Sequence, residues 1–363
     1  MKVLIAGGGT AGHVFPAIAL GEELRDRGVE TTFVGTSRGL EVRLVPAAGF
    51  ELVALDVIGF PRRLSADLIR APLALRSAIK RCRPLVRDHS VVVGMGGYAS
   101  APAVLAAGRD VPIVLHEQNA VPGLANRWLA PRAGVVAVSF PEAVGRFRGN
   151  SPCVMTGNPV RRAVASMDRA ATRPEALEAL GLQRDRTTIL VFGGSQGALH
   201  LDTTVAEVVS RWRDRSDIQI VVLTGTAHLE VSTSASEAGA ALIAKVLPFL
   251  DRMELAYAAA DLVVARAGAT SIAEITACGL PALLIPYPYA TDDHQMANAR
   301  SLEAVGAAEV MADTDLSAGS FMTRVDSLLA DHQRRERMGR AALERGTRGA
   351  AAALADLVAE ASG

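Results

Sequence analysis

The chain has 363 residues, half of them apolar and 21% charged, and its 38 Lys and Arg residues balance its 38 Asp and Glu residues. This length accommodates about two domains of ordinary size, and the composition is typical of a soluble globular protein with a large core and no disordered tail. Because the net charge is zero, no overall field attracts nucleic acid. The three cysteines are too far apart for a C-x-x-C metal pair, which indicates a reducing compartment.

The first predicted strand, residues 3–6, is too short to be the apolar region of a signal peptide. The uncharged segment 90–108 suggests a membrane span at first sight, but it contains several glycines and Pro102, which are incompatible with one continuous apolar helix. We interpret it as a buried strand, a glycine loop and the start of a helix. Any membrane contact is expected to be peripheral.

Short runs of Val, Ile and Leu alternate along the chain with longer segments rich in Ala, Leu, Arg and Glu. Continuous apolar strands separated by helix-length segments indicate βαβ units, and hence parallel sheets covered on both faces. The predicted strands are residues 3–6, 31–34, 91–93, 113–116, 135–138, 189–192, 218–223, 262–265 and 282–285.

The sequence divides into two similar halves. A polar connector rich in Ala and Arg occupies residues 159–186, after which the pattern begins again, and in both halves the first strand runs directly into glycines. We therefore predict an α/β fold with two Rossmann-like parallel-sheet domains that face each other across a cleft. The predicted domains are residues 1–160 and 161–345, with a final helix at about 346–363 that packs back on the first domain.

Three glycine loops, residues 7–12, 94–97 and 193–197, each connect a predicted strand to a helix. Such a loop lets backbone N–H groups approach an anion, and the helix N-terminus adds partial positive charge. A single loop of this kind is often only a tight turn. Three in one chain favour a ligand that carries phosphate.

The first loop matches the G-x-G-x-x-G dinucleotide pattern at Gly7, Gly9 and Gly12. That pattern also requires an acidic residue at the end of the second strand, and the first acid after strand 31–34 is Glu41, well beyond its end. No loop is followed by the Lys-Ser/Thr pair of a Walker motif, so hydrolysis of ATP or GTP is not expected. NAD remains a minor alternative.

His13 lies in the first turn of the helix that follows the first loop. A helix N-terminus disfavours the imidazolium form and lowers the pKa, so a neutral ring there is competent as a general base. We hypothesise that His13 is this base; the alternative is a solvent-facing residue. Glu117 and Asn119 follow strand 113–116, at the edge where parallel sheets bind ligands. Glu117 is either catalytic or orients its loop, and His116 is interpreted as a strand-end residue.

Asp313-Thr314-Asp315 forms a D-x-D motif, a spacing that holds a divalent cation in other proteins. It follows the strand-like segment 308–312 and precedes a predicted helix. We interpret the motif as structural, with Asp315 as the helix N-cap, and predict no metal site.

The segment 60–88 is strongly basic and has helical periodicity. It is either an ordinary helix with a solvated basic face or a surface that docks on anionic lipid. The apolar positions are Leu75, Ile79, Cys82 and Val86, and the basic positions are Arg76, Lys80, Arg83 and Arg87.

Six motifs together closely resemble the MurG family, the bacterial undecaprenyl-pyrophosphoryl-MurNAc-pentapeptide N-acetylglucosaminyltransferases. The resemblance extends from residue 1 to about residue 300, and the segment HEQNAVPGLAN is especially specific. The motifs are GGGTAGHVFPA (7–17), GMGGYAS (94–100), HEQNAVPGLAN (116–126), GNPVR (157–161), GGSQGA (193–198) and RAGATSIAE (266–274).

The resemblance implies the GT-B fold, with the nucleotide-sugar donor in the C-terminal domain and the lipid acceptor against the N-terminal domain. It implies transfer of GlcNAc from UDP-GlcNAc to the 4-hydroxyl group of MurNAc in lipid I, which gives lipid II with inversion. It also implies that no metal or other cofactor is essential, and that the protein acts peripherally at the cytoplasmic face of the cell membrane.

The resemblance also implies roles for residues that match the family motifs. Ser195 would contact the donor pyrophosphate, Leu250 would present its backbone to uracil, and Glu274 would accept hydrogen bonds from the ribose. The donor-binding residues implied in this way are Thr10, Ala11, Gly12, Asn119, Arg161, Ser195, Leu250, Ala269, Thr270, Ser271, Ile272, Ala273, Glu274, His294 and Gln295. In the glycine loops, the candidates for contact with the acceptor and its phosphates are Gly9, Gly96, Gly97 and Tyr98.

The sequence departs from the family pattern at a few positions. The family usually has two adjacent glutamines where this chain has His294 and Gln295, so the residue that contacts the sugar hydroxyls is left open. Ala11 and Ala267 replace residues that are frequently Gly and Ser, and both changes are small. Glu274 has a structural alternative, because Ser271-x-x-Glu274 has the spacing of a capping box.

Two other functions are compatible with these motifs. A UDP-GlcNAc 2-epimerase shares the architecture and the UDP-sugar ligand but needs no lipid acceptor. A non-catalytic protein would bind the nucleotide sugar and turn nothing over.

Overall fold

The computed structural model describes residues 1–57, 67–108, 110–194, 198–225 and 240–363, with the backbone alone for residues 67–70. These residues form two compact units. Unit 1 comprises Met1–Arg162 together with Arg348–Gly363, and unit 2 comprises Ala163–Thr347.

In the described part of unit 1, a seven-stranded parallel sheet has the order β3-β2-β1-β4-β5-β6-β7. Its strands are β1 (Lys2–Ala6), β2 (Glu30–Thr36), β3 (Glu51–Leu55), β4 (Val91–Gly94), β5 (Ile113–Glu117), β6 (Val135–Val138) and β7 (Cys153–Met155).

The described residues of unit 2 form a six-stranded parallel sheet in the order β10-β9-β8-β11-β12-β13. Its strands are β8 (Thr187–Phe192), β9 (Ile218–Leu223), β10 (Ile243–Leu247), β11 (Leu262–Ala265), β12 (Ala282–Leu284) and β13 (Ala308–Val310). Counted from the first strand of each unit, both sheets contain the Rossmann order 3-2-1-4-5-6, and unit 1 adds a seventh strand at one edge.

Helices connect the strands and cover the sheets. The helices of the described residues are α1 (Ala11–Asp26), α2 (Glu41–Ala47), α3 (Asp67–Arg87), α4 (Ala101–Ala106), α5 (Leu124–Leu129), α6 (Arg162–Ala165), α7 (Arg169–Leu180), α8 (Leu199–Arg211), α9 (Met253–Ala259), α10 (Ala269–Ala277), α11 (His294–Ala304), α12 (Ala318–Ala330), α13 (His332–Arg345) and α14 (Ala350–Ser362). None of them is both long enough and apolar enough to cross a membrane.

The core of unit 1 lies on both faces of its sheet. Val3 and Ile5 of β1 belong to one buried cluster, and Leu4 belongs to another. Because successive side chains point to opposite faces, a strand buried on both sides is apolar throughout. Leu354 and Val358 of α14 pack in the same cluster as Val3 and Ile5, so α14 covers part of one face of the first sheet, beside α1.

All nine predicted strands are present, and segment 90–108 contains β4, a glycine loop and the start of α4, as predicted. Strands β3, β7 and β10 were not predicted. Each of them lies at an edge of its sheet as formed by the described residues.

Helix α3 has the two faces that its sequence predicts. Cys82 and Val86 are buried, Leu75 and Ile79 are partly buried, and the basic residues face solvent. The exposed basic residues are Arg76, Lys80, Arg83 and Arg87. Residues 60–66 of the basic segment lie outside the described residues.

Candidate active site

The first glycine loop closes around a carboxylate of the protein itself. Glu41 at the start of α2 is buried, and it accepts hydrogen bonds from Thr36 N (2.8 Å), Thr36 Oγ1 (2.7 Å) and Gly9 N (3.0 Å). A Cβ added at Gly8 would lie 2.2 Å and one at Gly39 2.1 Å from this carboxylate, so a larger residue at either position would displace it. The Gly9 amide, predicted to hold phosphate, therefore donates to Glu41 instead.

Glu41 stays ionised in this setting. Burial by itself raises the pKa of the carboxyl group, but the hydrogen bonds from Thr36 and Gly9 outweigh burial and hold the pKa below its ordinary value. The position of Glu41 in the sequence suggested only a possible ribose ligand, too far from the strand end, and did not predict this structural role. The signal available in the sequence was that glycines follow both β1 and β2, which leaves room for an acidic side chain between the two strand ends.

The first and second glycine loops meet at His13. Its imidazole lies against Gly96 and Gly97, both of which have a positive φ. A Cβ at Gly96 would lie 3.2 Å from His13 Cε1, and one at Gly97 would lie 3.1 Å from His13 Cδ2. Tyr98, partly exposed, approaches the same place, because a Cβ at Gly9 would lie 3.5 Å from its ring. The structure thus brings these predicted residues together at the carboxyl edge of the sheet of unit 1.

A chain of polar side chains runs from His13 into the protein. Gln118 Oε1 lies 3.2 Å from His13 Nδ1, and Gln118 Nε2 lies 3.1 Å from His116 Nδ1. Gln118 Nε2 also donates to Met95 O (2.8 Å), and His116 Nε2 lies 3.0 Å from Gly157 O. Burial lowers the pKa of His116 to about 4, so this ring is neutral at physiological pH. Sequence reasoning did not single out Gln118.

Glu117 organises the loop that follows β5. It is buried, and its Oε1 accepts from Asn119 N (2.9 Å) and Asn119 Nδ2 (3.2 Å). Its Oε2 accepts from Gly123 N (3.0 Å) and Asn126 Nδ2 (2.9 Å). Both carboxylate oxygens are therefore engaged by the loop and by Asn126 of α5, which is the geometry expected if Glu117 orients its loop.

The remaining predicted residues of unit 1 gather around the start of α1. Thr10 is the N-cap of α1; its side chain is exposed and makes no capping hydrogen bond. Ala11 and Gly12 are the first two helical residues. The guanidinium carbon of Arg161 lies 4.8 Å from the centroid of the Phe15 ring, two residues beyond His13.

In unit 2, side chains of α11 hold the turn between β11 and α10. Gln295 Oε1 accepts from Ala267 N (3.1 Å) and Tyr287 N (2.9 Å), and Asn298 Nδ2 donates to Ala267 O (3.1 Å). Both backbone groups of Ala267 are thereby fixed just before α10. The neighbouring His294 has its Nδ1 2.7 Å from Thr291 O.

The capping-box alternative for Glu274 is wrong. Gly268, not Ser271, is the N-cap of α10, so Glu274 lies beyond the first turn. Its side chain is buried and accepts a hydrogen bond from Tyr257 Oη (3.0 Å).

Three other predicted features of unit 2 have different outcomes. Residues 269–273 form the first part of α10, beginning at the turn held by α11. Leu250 is partly buried beside the exposed Phe249. Ser195 and the rest of its glycine loop up to residue 197 lie outside the described residues.

The D-x-D motif makes an ion pair. Arg266 is buried, and its Nη1 lies 2.5 Å from Asp313 Oδ1. His200 Nδ1 lies 3.0 Å from Asp313 Oδ2. Burial raises the pKa of Asp313, but His200 and Arg266 outweigh it and hold the pKa below its ordinary value. Asp315 is not the N-cap of the next helix as predicted; Ser317 is, in a reciprocal capping box with Ser320.

Within the described residues, no three His, Cys, Asp or Glu side chains form a cluster that could hold a metal ion.

The sequence matches two family models, the glycosyltransferase family 28 N-terminal domain over residues 3–138 and the glycosyltransferase family 28 C-terminal domain over residues 188–356. Among solved structures, the crystal structure of Acinetobacter baumannii MurG is similar with a TM-score of 0.76 and 29% identity, covering 99% of both chains. The two Rossmann-like units are thus those of the GT-B class of glycosyltransferases.

Two curated relatives carry the same name, UDP-N-acetylglucosamine–N-acetylmuramyl-(pentapeptide) pyrophosphoryl-undecaprenol N-acetylglucosamine transferase. The one from Halothermothrix orenii is 43% identical over 356 residues, with 95% of each chain covered. The one from Acidithiobacillus ferrooxidans is 44% identical over 367 residues, covering 100% of this chain and 98% of the relative. At this identity and coverage, the chain belongs to the MurG family of N-acetylglucosaminyltransferases.

Proposed function

We propose that this protein transfers GlcNAc from UDP-GlcNAc to the 4-hydroxyl group of MurNAc in lipid I, forming lipid II with inversion. The observation that carries the proposal, in a chain of this family, is the setting of His13. Its imidazole lies in the first turn of α1 against Gly96 and Gly97, at the carboxyl edge of a Rossmann-like sheet. This edge is where such sheets bind ligands, and a neutral imidazole there is competent as a general base.

The reaction is a single displacement. The acceptor oxygen forms a bond to the anomeric carbon as the bond from that carbon to the β-phosphate oxygen breaks, and UDP leaves with the electron pair. His13 takes the proton of the attacking hydroxyl group. Backbone N–H groups at helix N-termini stabilise the charge that develops on UDP.

We assign donor binding in unit 2 to the turn before α10. Gln295 and Asn298 fix Ala267, and so orient the N-terminus of α10, where residues 269–274 line the nucleotide. The oxygen of Gln295 is engaged by two backbone amides. A hydrogen bond to the sugar hydroxyls therefore comes from Gln295 Nε2 or from His294.

We assign Glu117 to positioning. Its four hydrogen bonds hold the loop that carries Asn119, a donor-site residue by resemblance. This places Asn119 beside the carboxyl end of β5 without requiring a proton transfer to Glu117.

No metal ion is required in this mechanism. Asp313, the D-x-D residue best placed to hold a cation, is paired with Arg266 and His200. We expect full activity with excess EDTA, and a complete loss that Mg²⁺ restores would contradict this part of the proposal.

We further propose that the protein docks peripherally on the cytoplasmic face of the membrane through α3. Arg76, Lys80, Arg83 and Arg87 are exposed on this helix, and Leu73 is 66% exposed. Each surface Lys or Arg contributes about 1 kcal/mol to binding an anionic bilayer, and the acceptor of the proposed reaction is a membrane lipid.

The proposed activity is tested by incubating the protein with labelled UDP-GlcNAc, with and without a lipid I analogue, and identifying the products. Label on the lipid is the expected result. Formation of UDP-ManNAc without acceptor would indicate a 2-epimerase, and no product with either mixture would indicate a binding protein.

In the same assay, His13→Ala should lower turnover by about 10²–10⁴-fold, the usual contribution of a general base. His332→Ala, which removes an exposed histidine of unit 2, is the matched control and should leave turnover unchanged. Near-normal turnover of His13→Ala would show that His13 does not take the proton.

A further inference from the structure

Two backbone carbonyl groups determine the direction of the hydrogen bonds behind His13. A carbonyl oxygen only accepts, so the 3.0 Å contact between Gly157 O and His116 Nε2 places a hydrogen on that nitrogen. His116 is completely buried and neutral, so its Nδ1 carries the lone pair. Nδ1 of His116 must therefore accept a hydrogen bond from the side chain that lies next to it.

That neighbour is the amide of Gln118. Its Nε2 lies 3.1 Å from His116 Nδ1 and 2.8 Å from Met95 O, and these two acceptors take its two hydrogens. Rotating the amide by 180° would place its oxygen against Met95 O and against a lone pair, which is repulsive on both sides. The Gln118 oxygen consequently faces His13 Nδ1 at 3.2 Å, and this contact requires a hydrogen on Nδ1.

We propose that Gln118 and His116 are positioning residues that lock neutral His13 in the tautomer with hydrogen on Nδ1, so that Nε2 is the atom that takes the proton. The inference rests on the proposed role of His13 as the base. It adds which nitrogen reacts and which residues select it. The neutral amide has the orienting role that a carboxylate has behind the histidine of a catalytic triad.

The tautomer can be read directly by ¹⁵N–¹H correlation through two bonds in the imidazole rings, on protein labelled at histidine and kept at a pH where the rings are neutral. The His13 signals are those that disappear in His13→Ala. We expect a protonated Nδ1 and an unprotonated Nε2 in the wild-type protein. The opposite pattern, or two averaged nitrogens, would overturn the proposal, and this readout needs no substrate.

Gln118→Met tests the coupling to activity, because it keeps the size of the side chain and removes its hydrogen bonds. We expect kcat to fall by about tenfold or more, a part of the general-base contribution, while KM for UDP-GlcNAc stays within about twofold. The His13 signals should shift toward the tautomer with hydrogen on Nε2. An unchanged kcat, or an unchanged tautomer, would contradict the positioning role.

Gln219→Met is the matched control. Gln219 is also completely buried, and its side chain bonds Gln183 N, Gln183 O and Thr188 Oγ1, all in unit 2. It should lower stability without altering the His13 tautomer or kcat. If the wild-type protein transfers no label to lipid, the proposed function fails while the spectrum still decides the tautomer. The spectrum also decides it if Gln118→Met does not fold.

Discussion

The carboxylate of Glu41 lies inside the first glycine loop, where a phosphate-binding loop would hold its ligand. A G-x-G-x-x-G loop that binds a dinucleotide keeps its amides for pyrophosphate, whereas here Gly9 N donates to Glu41. The loop is thus held in shape from within, and its outer side presents His13 and the start of α1. The sequence matches the dinucleotide motif, but the anion that this loop holds is the side chain of Glu41.

Glu41→Gln tests this at the scale of one residue. The glutamine amide has the volume of the carboxylate but cannot accept hydrogen bonds from every donor around it. We therefore expect the free energy of unfolding at pH 7 to fall by about 2 kcal/mol. Because the folded-state pKa of Glu41 is lowered, its stabilisation is present above the unfolded pKa of about 4.3 and is lost as pH falls through the folded value. The difference in free energy of unfolding between the wild-type protein and the variant should therefore become smaller below about pH 4.3.

Urea unfolding at pH 7 and at pH values below about 4.3 measures this difference in free energy of unfolding. Glu51→Gln is the control. Glu51 is an exposed glutamate in β3 of the same unit, so its replacement should change stability by less than about 0.5 kcal/mol. A variant of Glu41 that is as stable as the control at pH 7 would contradict the structural role of the carboxylate.

Local motifs predicted some residues of the site and could not predict others. His13 and Asn119 follow strands within a few residues, so a short stretch of sequence is enough to place them at a sheet edge. Glu41 meets Gly9 from 32 residues away, and Gln118 meets His13 from 105 residues away. Such pairings depend on which strands become neighbours, and no local pattern records that.

The same distinction holds for whole elements. Central strands are buried on both faces and read as continuous apolar runs, which is why all nine were predicted. The unpredicted β3, β7 and β10 lie at sheet edges and are only partly buried; β7, for example, has two exposed residues. The fourth edge, β13, was recognised only as strand-like. An edge strand has one neighbour and more solvent, so its sequence carries a weaker pattern.

The loop after β4 offers a test at the scale of an element. Gly96→Ala adds a Cβ 3.2 Å from His13 Cε1 and 3.3 Å from Asn126 Nδ2, so it should displace the imidazole and lower kcat by about tenfold or more. Gly28→Ala is the matched control, because Gly28 also has a positive φ but nothing lies within 4 Å of the added Cβ.

Both variants should be destabilised by about 1 kcal/mol through the backbone alone. Steady-state kinetics together with thermal unfolding separates the two effects. Equal values of kcat in the two variants would show that the contact between Gly96 and His13 has no part in turnover.

For the whole molecule, the basic face of α3 predicts how the protein reaches its acceptor. Arg76→Glu combined with Arg83→Glu should weaken binding to anionic vesicles by about tenfold or more, since each surface charge is worth about 1 kcal/mol. Co-sedimentation with anionic and with zwitterionic vesicles at two salt concentrations measures this.

The control reverses two exposed charges elsewhere, Arg337→Glu with Arg340→Glu on α13. It changes the net charge by the same amount and should retain vesicle binding. Binding of the wild-type protein that ignored lipid charge and ionic strength would count against docking through α3.

The placement of α14 has a consequence for how the chain is made. Leu354 and Val358 belong to the core that covers Val3 and Ile5, so the first unit lacks part of its interior until α14 has been translated. Unit 2 is encoded without interruption between residues 163 and 347 and emerges from the ribosome complete. The half of the protein synthesised first is therefore the half that finishes folding last, and until then part of one face of its sheet is exposed to aggregation.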